Sequence, residues 1–395
     1  MEDMIEKITD IIEYIGCDDP AMELFESQYD CPEGMCYNSY LIKDEKIAIM
    51  DSVDSRCREE WLANIEKALG GRTPDYLVQH HMEPDHSGSI LAAMEKYPEM
   101  VLVCSANAAK YLPQFFDGFN MDRVRIVKEG DLLELGANSL SFIQATFVHW
   151  PEVLMSYIPQ AKVLFSADGF GTFGVYDAAP GDWACEARRY YFNICGKYGV
   201  QVAKVLDKIA ALGENAVSSI CPLHGPVLKG EKLAEAFRLY NIWSRYEVET
   251  PGIFIAHASI HGGTAAAALK MKELLLEAGC PKVAVSDLCR DDMSEAIEDA
   301  FRYGTLLCCA SSYDGDVFPP MHQFLYKLSI KNYRKRRIGL LENGTWGPTA
   351  ARAMKLLIEK MSDITLLDPV VTIKSRMHES DLVNMQELAS ALVKD

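Results

Sequence analysis

The sequence predicts an α/β protein of two successive domains, and three observations carry that reading. Short β-favouring runs alternate with helix-spaced segments along the whole chain. At 395 residues the chain exceeds what one hydrophobic core normally holds. Near Thr250-Pro251 the character changes, which places the expected domains at residues 1–250 and 251–395.

In the first part, Tyr37 to Ile42 and Lys46 to Asp51 read as a hairpin around the turn Lys43-Asp44-Glu45. Arg58 to Leu69 carries Trp61, Leu62, Ile65 and Leu69 at helical spacing and is closed by Gly70-Gly71. A strand at Tyr76 to Val78, a helix at Ile90 to Lys96, a strand at Met100 to Cys104 and a helix at Ala106 to Phe115 follow. Strands are expected at Val124 to Val127, Asp131 to Leu135, Leu140 to Ala145, Val153 to Ile158 and Lys162 to Ser166. A helical stretch from Asp182 to Leu212 and a last strand, Val217 to Cys221, complete this part.

The strand Tyr76 to Val78 runs into His80-His81-Met-Glu83-Pro-Asp85-His86, five imidazoles and carboxylates within seven residues. On an extended backbone His81, Glu83 and Asp85 would share one side, and the Ser87-Gly88 turn would let His86 face back. His80 would point the opposite way, as a structural histidine. A polar surface loop is the plainer reading, but so many donors in so short a space are costly to desolvate unless a metal or solvent satisfies them. His149, Asp168 and His224 each follow a predicted strand at a tight turn. Singly they are ordinary turn residues; with the first cluster they read as a two-metal site of four imidazoles and three carboxylates.

The second part opens with a buried-type strand, Gly252 to Ala258, then Ser259-Ile260-His261-Gly262-Gly263-Thr264 and a long helix. A glycine-bearing turn at a helix N-terminus offers free N–H groups to a phosphate. The spacing is not that of a P-loop and no lysine follows, which disfavours nucleoside triphosphates. Strands at Lys282 to Leu288, Thr305 to Ala310, Ile338 to Leu341 and Thr365 to Ile373, separated by helices, predict a doubly wound parallel sheet. In such sheets the ligand sits beyond the carboxyl ends of the strands. Two further loops lie there: Ser311-Ser312-Tyr313-Asp314-Gly-Asp316 and Glu342-Asn343-Gly344-Thr345-Trp346-Gly347. Tyr313 and Trp346 are placed to flank a flat ring.

Composition excludes several classes. The net charge of −18 lies almost wholly in the first 250 residues, which hold 22 basic and 39 acidic side chains against 17 and 18 in the remainder. That balance argues against nucleic acid as a partner. The run Lys331 to Arg337 is a local basic patch, read as a solvated helix end or else as a docking site for an acidic redox partner. The twelve cysteines are scattered with no Cys-x-x-Cys pair, as in reduced cytoplasmic proteins. The N-terminus is acidic without a signal-peptide core, and no apolar run approaches membrane-spanning length. The expectation is a cytoplasmic protein that binds no membrane.

The loop order His81-x-Glu83-x-Asp85-His86, then His149, Asp168 and His224, resembles the metallo-β-lactamase superfamily, with Glu83 where that family has a second His. That exchange, together with His149-Trp150-Pro151-Glu152 and Ala167-Asp168-Gly169-Phe170, resembles the flavodiiron proteins. The resemblance implies an N-terminal metallo-β-lactamase-like αββα sandwich followed by a flavodoxin-like doubly wound sheet. It implies that His81, Glu83 and His149 hold one iron, that Asp85, His86 and His224 hold the other, and that Asp168 bridges them. It implies FMN in the second domain, although His261, Gly263 and Ser311-Ser312 depart from the commoner family residues. By the same resemblance the protein would reduce O2 to water, NO to N2O, or both. It would act as a head-to-tail homodimer or a dimer of dimers. Without a Cys-x-x-Cys pair its electron donor would be a separate protein, such as rubredoxin or a flavin reductase. The competing expectation is a zinc-dependent hydrolase of the same fold with an appended flavodoxin domain.

Overall fold

The structure, a computed structural model, describes residues 6–177 and 183–394. The chain divides into two compact units, Met1–Asn241 and Ile242–Asp395, against the expected boundary at 250/251.

In the first unit two sheets face each other. The seven-stranded sheet runs in the order Glu6–Lys7, Ile12–Tyr14, Tyr40–Lys43, Ile47–Met50, Tyr76–Val78, Val101–Ser105, Val124–Val127, antiparallel as far as Ile47–Met50 and parallel beyond. The six-stranded sheet runs Leu132–Glu134, Ser139–Gln144, Leu154–Ile158, Val163–Phe165, Ser219–Cys221, Leu228–Lys229. Strand alternation builds the layers. Tyr40, Ile42, Ala48, Met50, Val78 and Val103 meet Phe142, Leu154, Ile158, Val163 and Phe165 in one core. Their neighbours Leu41, Ile49, Leu77 and Leu102 are equally buried on the opposite face. Helices cover both outer faces: Ala106–Phe115 packs on Val101–Ser105, and Gly199–Ala210 on Ser139–Gln144. This is the expected αββα sandwich. The helix Arg58–Leu69 buries Trp61, Ile65, Ala68 and Leu69, and left-handed Gly70 ends it. Trp61 has no exposed surface, so its truncation to Ala should cost about 3–5 kcal/mol.

In the second unit five parallel strands run in the order Val283–Asp287, Thr250–Ala258, Tyr303–Tyr313, Arg334–Asn343, Ser362–Leu366. Numbered within this unit the order is 2-1-3-4-5, which is the flavodoxin-like winding. The helices Gly263–Glu277 and Leu382–Val393 close one face through Ala267, Met271, Leu275, Met385 and Leu388. Met293–Arg302, Pro319–Ile330 and Ala350–Ile358 lie against the other.

Several elements differ from expectation. Residues 6–36, assigned no elements from sequence, contribute five short strands and the start of a sixth, Met35–Tyr37. The expected strand Tyr37 to Ile42 is divided: Met35–Tyr37 pairs with Cys17–Asp19, and only Tyr40–Lys43 joins the large sheet. The helical stretch from Asp182 to Leu212 is two helices, Trp183–Ile194 and Gly199–Ala210, broken around Gly196 and Gly199; Asp182 itself lies outside the described residues. The strand expected at Thr365 to Ile373 is two, Ser362–Leu366 and Val371–Ile373, with Pro369 between them. Ser311 to Tyr313 continue a strand rather than forming a loop, and turn back through Asp316–Val317. The basic run is not a helix end beyond Lys331. Arg334 to Arg337 begin a strand, and Arg336 is buried, donating to the carbonyls of Tyr246, Glu247 and Phe301. Among the described residues no helix is long and apolar enough to cross a membrane.

Candidate metal centre and cofactor cleft

The donor loop leaves the middle of the seven-stranded sheet. Gln79 N extends the ladder to Val103 O at 2.8 Å, and its side chain donates to the carbonyls of His81 and His86. Beneath it Asp51, at φ 55°, ends the strand Ile47–Met50. One carboxylate oxygen of Asp51 accepts from His80 N at 2.7 Å; the other pairs with His80 Nδ1. His80 Nε2 reaches Ser156 Oγ at 2.8 Å in the facing sheet, so His80 is the structural clasp expected of it. The extended alternation expected for His81, Glu83 and Asp85 is not formed: Pro84–Ser87 is a single helical turn, begun by proline at its first position. That turn separates the donors into two sets.

His81, Glu83, His149 and Asp168 converge in one group, and Asp85, His86 and His224 in another. Asp168 Oδ2 lies 3.1 Å from His81 Nε2 and 3.2 Å from His149 Nε2. Asp168 Oδ1 lies 3.3 Å from His86 Nε2 and 3.6 Å from His224 Nε2. Glu83 Oε2 is 2.9 Å from His149 Nε2, and Asp85 Oδ2 is 3.1 and 3.2 Å from the Nε2 atoms of His86 and His224. One carboxylate thus offers an oxygen to each group.

Three observations test whether cations fit. The buried oxygens of Asp85 and Asp168 have no hydrogen-bond donor, although imidazole nitrogens stand close by; buried anions without donors call for positive charge. His81 Nδ1 donates to Glu152 at 2.8 Å and His224 Nδ1 to Cys36 O at 2.7 Å, so it is Nε2 of each ring that is turned inward as the atom available to a metal. Burial opposes charge on His86, His149 and Asp168. Even so, Asp85 and Asp168 raise His86 to about 10, and Asp168 and Glu83 raise His149 to about 9. Asp168 is itself held far below the ordinary carboxylate range despite burial, chiefly by His81 and His149. A divalent metal would displace the protons that such a field attracts.

Backbone geometry fixes the later donors. Ala167 and Phe147 adopt positive φ beside Asp168 and His149. After His224, a Cβ on Gly225 would lie 2.1 Å from Thr172 Oγ1. Asn38 donates to Pro222 O and Gly225 O at 2.9 and 2.7 Å and so holds that turn. Sequence reading passed over Asn38, Asp51 and Gln79 as supports. Only Glu152 had a visible signal, its place in His149-Trp-Pro-Glu152.

In the second unit the three loops expected to bind a cofactor surround one cleft of about 270 Å³ at the carboxyl ends of the strands. It is lined by Ser259, Ile260, His261, Gly263, Thr264, Ser311 to Asp314 and Asn343 to Trp346. Gly262 does not line it; at φ 85° it turns the chain into the helix Gly263–Glu277. Gly315 and Gly347, which fall within the two expected loops, line the cleft as well, and so does Ser375, from a position with no sequence signal. Asn343 anchors Ser375 through two 3.0 Å bonds. Ser312 Oγ accepts from Thr349 N and Ala350 N, so this hydroxyl caps a helix. A Cβ on Gly263 would meet Ser375 O at 2.4 Å, a close approach only glycine permits.

Residues 35–225 match the family described as ODP family beta lactamase. The chain is 28% identical to a nitric oxide reductase of Moorella thermoacetica, over 96% of each chain. It is 26% identical to flavo-diiron protein FprA2 of Clostridium acetobutylicum, over 91% of each. Among solved structures, rubredoxin oxygen:oxidoreductase from Desulfovibrio gigas superposes with a TM-score of 0.92 at 23% identity, covering 98% of both chains. This chain resembles the flavodiiron proteins over nearly its whole length. The flavodiiron protein of Giardia intestinalis shares the fold equally well, with a TM-score of 0.90 at 22% identity over 98% of this chain.

Proposed function

We propose that the chain is a flavodiiron oxidoreductase that reduces O2 to water, NO to N2O, or both. The observation that carries this is the position of Asp168, one oxygen toward each of two donor groups. Three carboxylates among seven donors suit iron better than the nitrogen- and sulfur-rich sets of zinc. His81, Glu83 and His149 would hold one iron, Asp85, His86 and His224 the other, with Asp168 shared. The loops around the cleft would hold FMN, the flavin phosphate on the N-terminus of Gly263–Glu277 and its ring near Tyr313 and Trp346. Two irons and FMN, when bound, supply the one-electron chemistry that the reduction needs.

The chain's own residues prepare the site for a small neutral substrate. Phe25 and Tyr190 pack against the His224 ring at 5.4 and 5.6 Å, Phe173 backs Tyr190 at 5.1 Å, and Trp150 stands edge-on to His81 at 5.3 Å. These rings place apolar surface beside the donor groups. Glu152 and Cys36 O keep His81 and His224 in one tautomer.

The proposal includes a head-to-tail homodimer and a separate electron donor, a rubredoxin or a flavin reductase. It is tested by anaerobic turnover of the reduced protein with O2 and with NO, alongside metal analysis. Two irons per chain and fast gas consumption are expected. Two zincs with hydrolysis of a thioester or phosphodiester would replace this reading with the hydrolase.

A further inference from the structure

The basic run Lys331 to Arg337 has no part in either site described above. Within it Arg334 pairs with Asp363 at 2.5 Å, and Arg336 is turned inward onto the carbonyls of Tyr246, Glu247 and Phe301. Lys335 and Arg337, two apart on one strand, instead line a separate cavity of about 800 Å³ in the second unit, a volume that suits an organic ligand. The cavity lies where the parallel strands begin, with Ile253, Thr305 and Arg337 side by side in register. Pro251, Ile253, Cys280, Pro281, Leu392 and Val393 give it apolar walls. The backbone makes room for it: the pairing of Thr250–Ala258 with Tyr303–Tyr313 shifts register between Thr250 and Ile253. Gly252 bends the strand there at φ 148°, and a Cβ on it would lie 2.5 Å from Lys282 O.

The walls are apolar, but the charge at the rim is not balanced. Lys335 Nζ donates to Arg245 O at 3.1 Å, and Arg337 donates to Ala391 O at 2.6 Å and Leu392 O at 3.5 Å. Carbonyls satisfy donors without cancelling charge. Among the described residues neither cation has a carboxylate within 4.0 Å. Glu249, the acidic residue in the lining, already accepts from Trp243 Nε1 at 2.6 Å and stands 4.0 Å from Arg302. Lys335 is also held at φ 55°, a left-handed conformation that strains a long side chain. In a chain of net charge −18, two cations without anions beside apolar walls select a ligand that is both apolar and negative.

We propose that this cavity binds an apolar carboxylate, its head on Lys335 and Arg337 and its hydrocarbon body between Pro251, Pro281 and Leu392. Arg337 keeps N–H groups beyond those given to the two carbonyls, and a carboxylate accepts them as charge-assisted hydrogen bonds. Burial of the body against the walls supplies the rest of the affinity. The strand Tyr303–Tyr313 joins this cavity, at Gly304, to the cleft, at Tyr313; eleven residues at about 3.3 Å each place the two roughly 30 Å apart. A macromolecular electron donor seated on the basic run would therefore not touch the cleft, whereas a small anion needs only the cavity.

Binding is read without turnover, so the result stands apart from the reductase reading. Sodium decanoate is titrated into the full chain by calorimetry, with 1-decanol and acetate as the uncharged and the chainless controls. Decanoate should bind at one site per chain, and decanol at least about tenfold more weakly, the scale of one charge-assisted hydrogen bond. Acetate should not displace decanoate. Arg337→Gln should raise the dissociation constant about tenfold, and Lys335→Gln, at an exposed position, by a few-fold. Hydrogen exchange on the unsubstituted chain locates the site even if the Arg337 variant does not fold: decanoate should protect peptides containing Gly252 and Cys280. Equal binding of decanol and decanoate would overturn the proposal, as would protection confined to residues 259–264, or no binding up to about 1 mM. Decanoate that splits an oligomer of the chain, read by sedimentation, would make a second copy the natural occupant and overturn the ligand class.

Discussion

His81 has no exposed surface, whereas Trp346, at the rim of the cleft in the second unit, is 93% exposed. The first site is made of seven converging side chains held by further residues behind them. The second is lined by glycines, hydroxyls and backbone at the ends of three strands. A buried set of charges is cooperative, because removing one leaves the others uncompensated. An open cradle loses affinity by increments, because each contact is separately replaced by water. The two regions should therefore respond differently to single substitutions.

The largest effect is expected at Asp168. Asp168→Ala should remove metal from both groups and lower turnover by at least about 100-fold, more than loss of any supporting residue, while flavin stoichiometry stays at one. Metal analysis and flavin absorbance on the same sample check this; full iron occupancy would break the contrast. Glu152→Ala comes next, since it frees the His81 ring without removing a ligand. Metal affinity should fall about 10–100-fold, measured by competition with a chelator. In the cleft, Gly263→Ala forces a Cβ toward Ser375 O and should cost about 1–3 kcal/mol of strain. Flavin affinity should fall with metal content unchanged, as read by fluorescence titration. Trp346→Ala should be milder: stability within about 0.5 kcal/mol of the parent, with a shift in the flavin spectrum or its titration.

The smallest effect concerns pH. Burial pushes His257 below the ordinary histidine value, although Asp287 and Asp291 act the other way. The Asp287 carboxylate is 3.9 Å from its Nδ1, too far for a hydrogen bond. Because the folded value is depressed, His257 contributes stability fully above its unfolded value of about 6.5 and loses it as pH falls through the folded value. Urea unfolding between pH 7 and 5 should show this slope in the unsubstituted chain and a flatter one in His257→Gln.

The same contrast explains what the sequence made legible. The candidate donors were visible because His81, Glu83, Asp85 and His86 crowd one loop, a pattern with few other physical causes. The parallel winding was visible because buried strands and helices differ in period. The supports were not. Asp51, Asn38 and Gln79 are ordinary polar residues whose roles depend on where a distant carbonyl falls, as when Asn38 reaches Pro222 and Gly225. Ser375 enters the cleft only because Asn343 ties it there. Arg336 looked like a surface charge, and only the fold shows the carbonyls of Tyr246, Glu247 and Phe301 around it.

Iron-57 Mössbauer spectroscopy on the reconstituted chain, combined with metal content per chain, tests the shared carboxylate most directly. Two irons per chain with exchange coupling between them, both lost in Asp168→Ala, is the expected result. Uncoupled irons, or a pair that survives the loss of Asp168, would contradict the assignment of that residue as the link between the two groups.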